Sequence, residues 1–192
     1  MTEPIAEAAV LLAAVRATGG LPTSASDPAA VGAAAVAAAA AGRSLLRVPV
    51  PSPATSPRLV DGLTLGWQPQ TTPSPEETHT YRVRQAGTMA RLTWACCLGL
   101  AWTDRSADPH PGEPFTRAAV VDLAGQLGAP AMWVKSALDH ELRPALLVVG
   151  DGDRLRLGPA AAGLPGAFVE ALRRFHDRLP AAEQPGNREG AR

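Results

Sequence analysis

Lysine is almost missing from this chain of 192 residues, because Lys135 is the only one and arginine supplies the remaining basic charge. Aromatic residues make up only 4% of the chain, so each tryptophan or phenylalanine is expected to anchor a core or an interface. An excess of charge is absent too, since 18 basic residues are balanced by 18 acidic ones. A protein that draws its affinity from neutralising many phosphates is therefore disfavoured, although a local basic patch matters more than the total.

Cysteine and long apolar runs are also scarce. The only cysteines, Cys96 and Cys97, are adjacent in a helical stretch, where neighbours point about 100° apart, so a structural disulfide between them is not expected. Glu3 and Glu7 stand where a signal peptide would be basic, and no apolar run reaches transmembrane length. The sequence predicts a cytoplasmic protein with no membrane association.

No pattern typical of catalysis is present. The histidines lie without metal-ligand spacing to each other or to the cysteines, and they are His79, His110, His140 and His176. The chain has neither a phosphate-binding glycine loop nor a nucleophile elbow. We therefore expect no enzyme, no cofactor and no metal site.

Residues 1–67 predict an N-terminal helical and β-hairpin unit. The first helix, 3–18, has Ile5, Ala9, Leu12 and Val15 or Arg16 at helical spacing, and the second would start at the N-cap Asp27 and run through an alanine tract. Two β segments follow, 44–50 with a proline typical of an edge strand, and 58–67 with a turn signal at Asp61-Gly62. Proline-rich residues 68–80 are interpreted as a linker.

Residues 81–180 predict a second domain, and 181–192 a disordered tail. Helices of this second domain are expected at 87–104, 131–142 and 167–179. A further helix is expected to start at the N-cap Thr116 and to turn Val120, Leu123 and Leu127 inward. Strands are expected at 145–149 and 154–157. The last helix has an apolar stripe at helical spacing, formed by Phe168, Leu172, Phe175 and Leu179.

This order of elements resembles the winged helix-turn-helix superfamily. The resemblance is carried by FTRAAVVDLAGQLGAP at 115–130, AMWVKSALDHEL at 131–142 and PALLVVGDGDRLRLGPA at 144–160. It implies an α+β winged helix, with three helices and a β-hairpin wing at 145–158. DGLTLGW at 61–67 echoes GDRLRLGP at 152–159, so the N-terminal half is either a degenerate winged helix in a tandem pair or a helical cap packed on the C-terminal domain.

The resemblance implies DNA as one ligand, because in DNA-binding members the third helix enters the major groove and the wing contacts the backbone. The expected DNA-binding residues are Lys135, Ser136 and His140 on helix 131–142 and Arg154 and Arg156 on the wing. The first hypothesis is therefore a non-enzymatic transcriptional regulator. A homodimer through helix 167–179 would fit this role.

A protein partner is the alternative. Helical geometry turns Val134 and Leu138 of 131–142 inward and leaves Met132 and Trp133 outward, and methionine and aromatic residues are enriched at protein interfaces. Phosphates would be repelled by four nearby carboxylates, Asp139, Glu141, Asp151 and Asp153. The alternative function is a subunit that docks a partner through its winged helix.

Overall fold

The computed structural model of the protein describes residues 3–23, 26–52, 58–68, 71 and 86–181. These residues form an α+β protein with two three-stranded antiparallel sheets, one in each half of the chain. Apart from Gln68 and Thr71, the expected linker lies outside the described residues, and so does the expected tail apart from Ala181. None of the described helices is long and apolar enough to cross a membrane.

The N-terminal half, residues 3–71, is a helical layer on a sheet. Its elements are α1 (Glu3–Thr18), β1 (Leu21–Pro22), α2 (Pro28–Ala40), β2 (Arg43–Pro51) and β3 (Leu59–Trp67). The strand order is β1-β3-β2, with α1 packed on β3 and α2 packed on β2. The Asp27 side chain accepts a hydrogen bond from the Ala30 N–H, which confirms the predicted cap and explains why the alanine tract starts a helix there.

The inner face of α1 differs in part from the predicted stripe. Val15 is buried and Leu12 is half-buried, but Ile5 and Ala9 are exposed, and Ala8 and Leu11 are buried in their place. In a helix this rich in alanine, two neighbouring stripes have the same helical spacing, so periodicity alone does not select the face. The buried face of α1 is set by the sheet and α2, because the stripe with Leu11 and Val15 packs against them.

The predicted turn at Asp61-Gly62 is wrong, since both residues lie inside the continuous strand β3. Gly62 pairs with β1 on one side and β2 on the other. A Cβ at Gly62 would lie 2.3 Å from a Val50 methyl carbon and 2.7 Å from the Leu21 carbonyl oxygen. The glycine therefore permits close packing of three strands and does not make a turn. The edge position predicted for β2 is confirmed.

The C-terminal half, residues 86–181, begins with α3 (Thr88–Ala101), β4 (Phe115–Thr116), α4 (Arg117–Gln126) and α5 (Ala131–Ala137), which continues into a π-helical turn, Leu138–Leu142. It ends with β5 (Val148–Asp151), β6 (Arg154–Leu157), α6 (Pro159–Ala162), α7 (Gly166–Arg174) and a 3₁₀ turn, His176–Arg178. The strand order is β4-β6-β5. In each half, therefore, a two-residue strand that follows the first helix pairs with the second strand of the later hairpin.

Several helices and strands in this half begin or end at residues other than those predicted. Helix 87–104 ends at Ala101, and the strand expected at 145–149 occupies Val148–Asp151. Leu127, predicted to point inward, is exposed because α4 ends at Gln126 and Leu127 is its C-cap residue. The caps and inner faces are otherwise as expected, since Thr116 accepts a hydrogen bond from the Ala119 N–H and Val120 and Leu123 are buried.

The helix predicted at 167–179 ends at Arg174 because the chain beyond it crosses α3. A Cβ at Gly99 of α3 would lie 1.7 Å from the carbonyl oxygen of Pro180, so the two backbones are in direct contact. His176 Nε2 lies 2.7 Å from the carbonyl oxygen of Trp102, and Arg173 donates a hydrogen bond to the Ala107 carbonyl. The stripe predicted as a dimer surface is thus partly used within the chain, where Leu172 and Leu179 pack against the core.

The two halves pack on each other through α6, which contacts β2 and β3. The glycine pair after α1 also lies close to the other half. A Cβ at Gly19 would lie 3.2 Å from a Leu146 methyl carbon, and one at Gly20 would lie 3.4 Å from the Pro159 ring. The N-terminal half therefore packs against α6 and against the segment that precedes β5.

Candidate functional site

The turn before α5 fixes the direction of this helix. Gly128 has a φ of 83°, a left-handed conformation that suits glycine, and it ends α4 within two residues of Pro130. The Pro130 carbonyl then accepts hydrogen bonds from the Trp133 and Val134 N–H groups, which starts α5. The buried side chains of the helix and its π-helical extension are Val134, Ala137, Leu138 and Leu142. The opposite face is therefore presented to solvent.

That face carries the residues singled out from the sequence. Met132 is 71% exposed and Trp133 is 56% exposed. Lys135, Ser136 and His140 are exposed as well. The outward orientation predicted from helical geometry is confirmed for Met132 and Trp133. Sequence reasoning missed Leu127, which is exposed just before the turn and adds a third large apolar side chain beside the start of α5.

Asp139, on the π-helical turn that follows α5, is paired with two arginine side chains of the same chain. Arg117 donates two hydrogen bonds to the Asp139 carboxylate, at 2.8 and 2.5 Å, and Arg143 lies 3.7 Å from the same group. The hydrogen bonds from Arg117 hold the pKa of Asp139 below its usual value, and Asp139 raises the pKa of Arg117. Sequence reasoning counted Asp139 as a charge repelling phosphate, whereas the structure makes it part of an internal ion-pair cluster.

The β5–β6 hairpin is tied to the same cluster. The backbone N–H of Arg117 donates to the Asp153 carbonyl at 3.1 Å, so Arg117 contacts both the hairpin tip and the π-helical turn. Asp151 pairs with Arg154, which leaves Gly152 and Asp153 as a two-residue turn. Arg154 is exposed next to this turn, whereas Arg156 is half-buried. Burial, and to a lesser extent the charge of Arg156, lowers the pKa of the neighbouring His110.

The N-terminal half restricts access to the hairpin. Val149 is paired with Arg156 and shares its face of the sheet, yet Val149 is 2% exposed. A small cavity between the halves is lined by β2, β3 and β5, with Pro51, Leu59 and Val149 among its lining residues. Part of the sheet face that bears Arg156 is therefore covered by the chain itself. Arg154, nearer the tip, stays accessible.

The charges around α5 are mixed. In the described part of the chain, Lys135, Arg154 and Arg156 form no ion pair. Three acidic side chains on the same elements are exposed, and they are Glu141, Asp151 and Asp153. The C-terminal half contains ten basic and ten acidic residues. The exposed face is therefore apolar at the start of α5, and near the hairpin it carries charges of both signs.

The histidines of the described residues lie on separate elements of the C-terminal half. His110, His140 and His176 lie on a loop, on the π-helical turn and on the C-terminal 3₁₀ turn, and no group of histidine, cysteine and acidic residues there could hold a metal. Cys96 and Cys97 are buried as free thiols in the core, and burial raises the pKa of Cys96 to about 11. His79 lies outside the described residues.

Comparison of the chain with protein-family models, with curated proteins and with solved structures gives no match.

Proposed function

We propose that the C-terminal half is a winged helix and that the N-terminal half is a reduced copy of it. Supporting this proposal, α3, α4, α5 and the β5–β6 hairpin follow one another as helix, helix, short turn, helix and hairpin. The strand orders β4-β6-β5 and β1-β3-β2 are equivalent. The N-terminal half has one helix fewer, since α2 leads directly into β2. In this arrangement α5 is the recognition helix and β5–β6 is the wing.

We propose that the protein is a non-enzymatic subunit that docks a protein partner through the exposed face of α5. The observation that carries the proposal is the pair Met132 and Trp133, both exposed at the first turn of this helix. Covering them would remove on the order of 200 Å² of apolar surface from water, worth about 5 kcal/mol before the costs of association. A large apolar pair at the start of the helix suits a protein surface, where tryptophan and methionine are enriched.

The remaining side chains indicate the chemistry of the partner. Lys135 is exposed three residues after Met132, hence beside it on the helix surface, and has no ion pair within the described ranges. A partner that covers this face would present an apolar pocket or groove to Trp133 and Met132, with an acidic side chain facing Lys135. The internal cluster of Arg117, Asp139 and Arg143 holds the helix against α4 and the hairpin, so the docking face is already formed in the free protein.

Affinity capture with quantitative mass spectrometry tests this proposal, using the tagged protein, Trp133→Ala and Phe175→Ala as bait in an extract of the source cells. Phe175 is the matched control, because it is an exposed aromatic residue on the far C-terminal segment. We expect one or more proteins to be retained by the unmodified chain and by Phe175→Ala. The same proteins should be depleted at least tenfold when Trp133→Ala is the bait. If no retained protein depends on Trp133, the proposal is wrong.

DNA is the second candidate ligand, favoured by the neutralisation of Asp139 and by the cations Lys135 and Arg154 that no described residue pairs. In this role Lys135, Ser136 and His140 would enter a groove, while Arg154 and Arg156 would approach the backbone. Fluorescence anisotropy with mixed-sequence duplex DNA across salt concentrations tests it. Binding that weakens steeply with salt and is lost on Arg154→Ala would establish DNA as a ligand.

A further inference from the structure

A cavity lies where the two halves of the chain meet, and we call it the junction cavity. Its walls are Arg58 from the N-terminal half, Arg143 and Gly150 from the C-terminal half, and apolar residues of β2, β3 and β5. Its volume is about 60 Å³, which is roughly twice the share of one water molecule in the liquid and leaves room for one small group. Two arginines thus line the cavity, and no acidic residue of the described chain does.

Arg143 has hydrogen-bond donors to spare at this cavity. Its Nη2 donates to the Gly150 carbonyl at 3.3 Å, whereas its Nη1 lies 3.7 Å from the Asp139 carboxylate, too far for a hydrogen bond. Both oxygens of that carboxylate already accept hydrogen bonds from Arg117. A guanidinium group has five N–H donors, so most of those of Arg143 meet no acceptor in the part of the chain that the structure describes.

Arg58 brings a second cation from the other half. It lies just before β3, is exposed, and forms no ion pair with any residue that the structure describes. Its carbonyl accepts a hydrogen bond from the Ser52 N–H at 2.7 Å, which holds the backbone of Arg58 at the cavity. Because Arg58 is exposed, the wall that it forms reaches solvent, and a small ligand has a way in on that side.

The free edge of β5 adds a backbone donor. At the open end of the β5–β6 ladder the Gly158 N–H donates to the Leu147 carbonyl, and antiparallel pairs alternate between hydrogen-bonded and non-hydrogen-bonded. Two steps along the ladder, Gly150 and Leu155 are therefore a non-hydrogen-bonded pair, and the N–H and C=O of Gly150 point away from β6. The hydrogen bond from Arg143 to the Gly150 carbonyl agrees with this direction. No described backbone carbonyl accepts the Gly150 N–H.

We propose that the junction cavity binds a small oxyanion, a phosphate or carboxylate group, held by the side chains of Arg58 and Arg143 and by the Gly150 N–H. Guanidinium and backbone N–H groups are the donors that such oxygens accept most readily in proteins. The remaining walls are apolar, with Leu59 and Val149 among them, and a low-dielectric wall strengthens hydrogen bonds to a charged ligand. The bound group would contact both halves and stabilise their packing on each other. This site is separate from the exposed face of α5.

Amide NMR spectra of the full chain test the proposal, during titration with sodium phosphate and, separately, with sodium acetate at constant pH and ionic strength. We expect a saturable shift of the Gly150 amide with a Kd on the order of 1 to 10 mM. The ion that binds more tightly identifies the ligand as a phosphoryl or a carboxylate group.

Arg58→Gln should raise this Kd about tenfold, because it removes one charged donor set from an exposed residue without an ion pair in the described chain. Arg154→Gln is the matched control, since Arg154 is exposed on the same hairpin as Gly150 and does not line the cavity, and it should change the Kd less than about twofold. A shift that does not saturate with either ion, or a Kd that Arg58→Gln leaves unchanged or that both variants raise equally, would overturn the proposal.

Discussion

Arg117 and Asp139, 22 residues apart in the chain, form a two-pronged ion pair at 2.8 and 2.5 Å that joins α4 to the π-helical turn after α5. The backbone N–H of Arg117 also reaches the Asp153 carbonyl at the hairpin tip. One residue thus sets the position of the helix and the hairpin relative to each other. The face carrying Met132 and Trp133 depends on this arrangement for its orientation.

Replacing Arg117 by lysine should lower the free energy of unfolding by about 1 kcal/mol. Lysine keeps the charge but offers a single ammonium group, which cannot reproduce the two parallel hydrogen bonds to Asp139. The effect is limited because both side chains are partly exposed. Urea denaturation measures it, with Arg174→Lys as control, since Arg174 is exposed and forms no ion pair with any residue that the structure describes. Equal losses in both variants would contradict a specific role for the pair.

The contribution of Asp139 to stability should disappear in acid. Hydrogen bonds from Arg117 hold the pKa of Asp139 below its usual value, so the folded protein binds the proton less readily than the unfolded chain does. This stabilisation is full above the unfolded pKa of about 3.9 and is lost as the pH falls through the lower folded pKa. Asp139→Asn should therefore be less stable than the unmodified chain at pH 7, with the gap closing below about pH 4. A gap that does not depend on pH would contradict this.

Gly62→Ala should lower the free energy of unfolding by about 2 kcal/mol or more. The added methyl group would lie 2.3 Å from a Val50 methyl carbon and 2.7 Å from the Leu21 carbonyl oxygen, and a backbone atom in a paired strand cannot move aside. Gly32→Ala is the matched control in the same half. Gly32 lies in α2 with nothing within 4 Å, so alanine there should stabilise the protein by about 0.5 to 1 kcal/mol. Thermal melts compare the two, and a tolerated Gly62→Ala would contradict the packing described for β3.

Gly99→Ala should displace the C-terminal segment from α3. The ideal Cβ position lies 1.7 Å from the Pro180 carbonyl oxygen, so the crossing backbone must move. We expect faster amide hydrogen exchange in residues 174–181, together with loss of the contact between His176 and Trp102. Gly125→Ala in α4 serves as control, because nothing lies within 4 Å of that position. Unchanged exchange in Gly99→Ala would show that the segment is not held there.

The helix caps and the inner face of α5 could be predicted from the sequence, because they depend on residues that are close together in the chain. The caps Asp27 and Thr116 and the burial of Val134 and Leu138 follow from hydrogen bonding and spacing within a few residues, and all are confirmed. The errors in α1 and at Gly62 arise from contacts distant in sequence. Gly62 was interpreted as a turn because an Asp-Gly pair is typical of hairpins, whereas its role is set by Val50 and Leu21 across the sheet.

The candidate site was predictable in part for the same reason. The outward direction of Met132 and Trp133 follows from the helix alone, and the structure places both in solvent. The pairing of Arg117 with Asp139 joins two elements, and nothing in the local pattern around either residue indicates it. The cavity that Val149 shares with Pro51 and Leu59 joins the two halves of the chain, and no pattern within a few residues of Val149 indicates it.

The most direct test of a protein-docking face on α5 is the Kd of a captured, purified partner for the unmodified chain and for Trp133→Ala, measured by isothermal titration calorimetry. A buried tryptophan at the centre of an interface contributes about 2 kcal/mol or more, so Trp133→Ala should weaken binding about 30-fold, while Phe175→Ala should leave the Kd unchanged. Equal affinity of the unmodified chain and Trp133→Ala for the partner would contradict a docking face on α5.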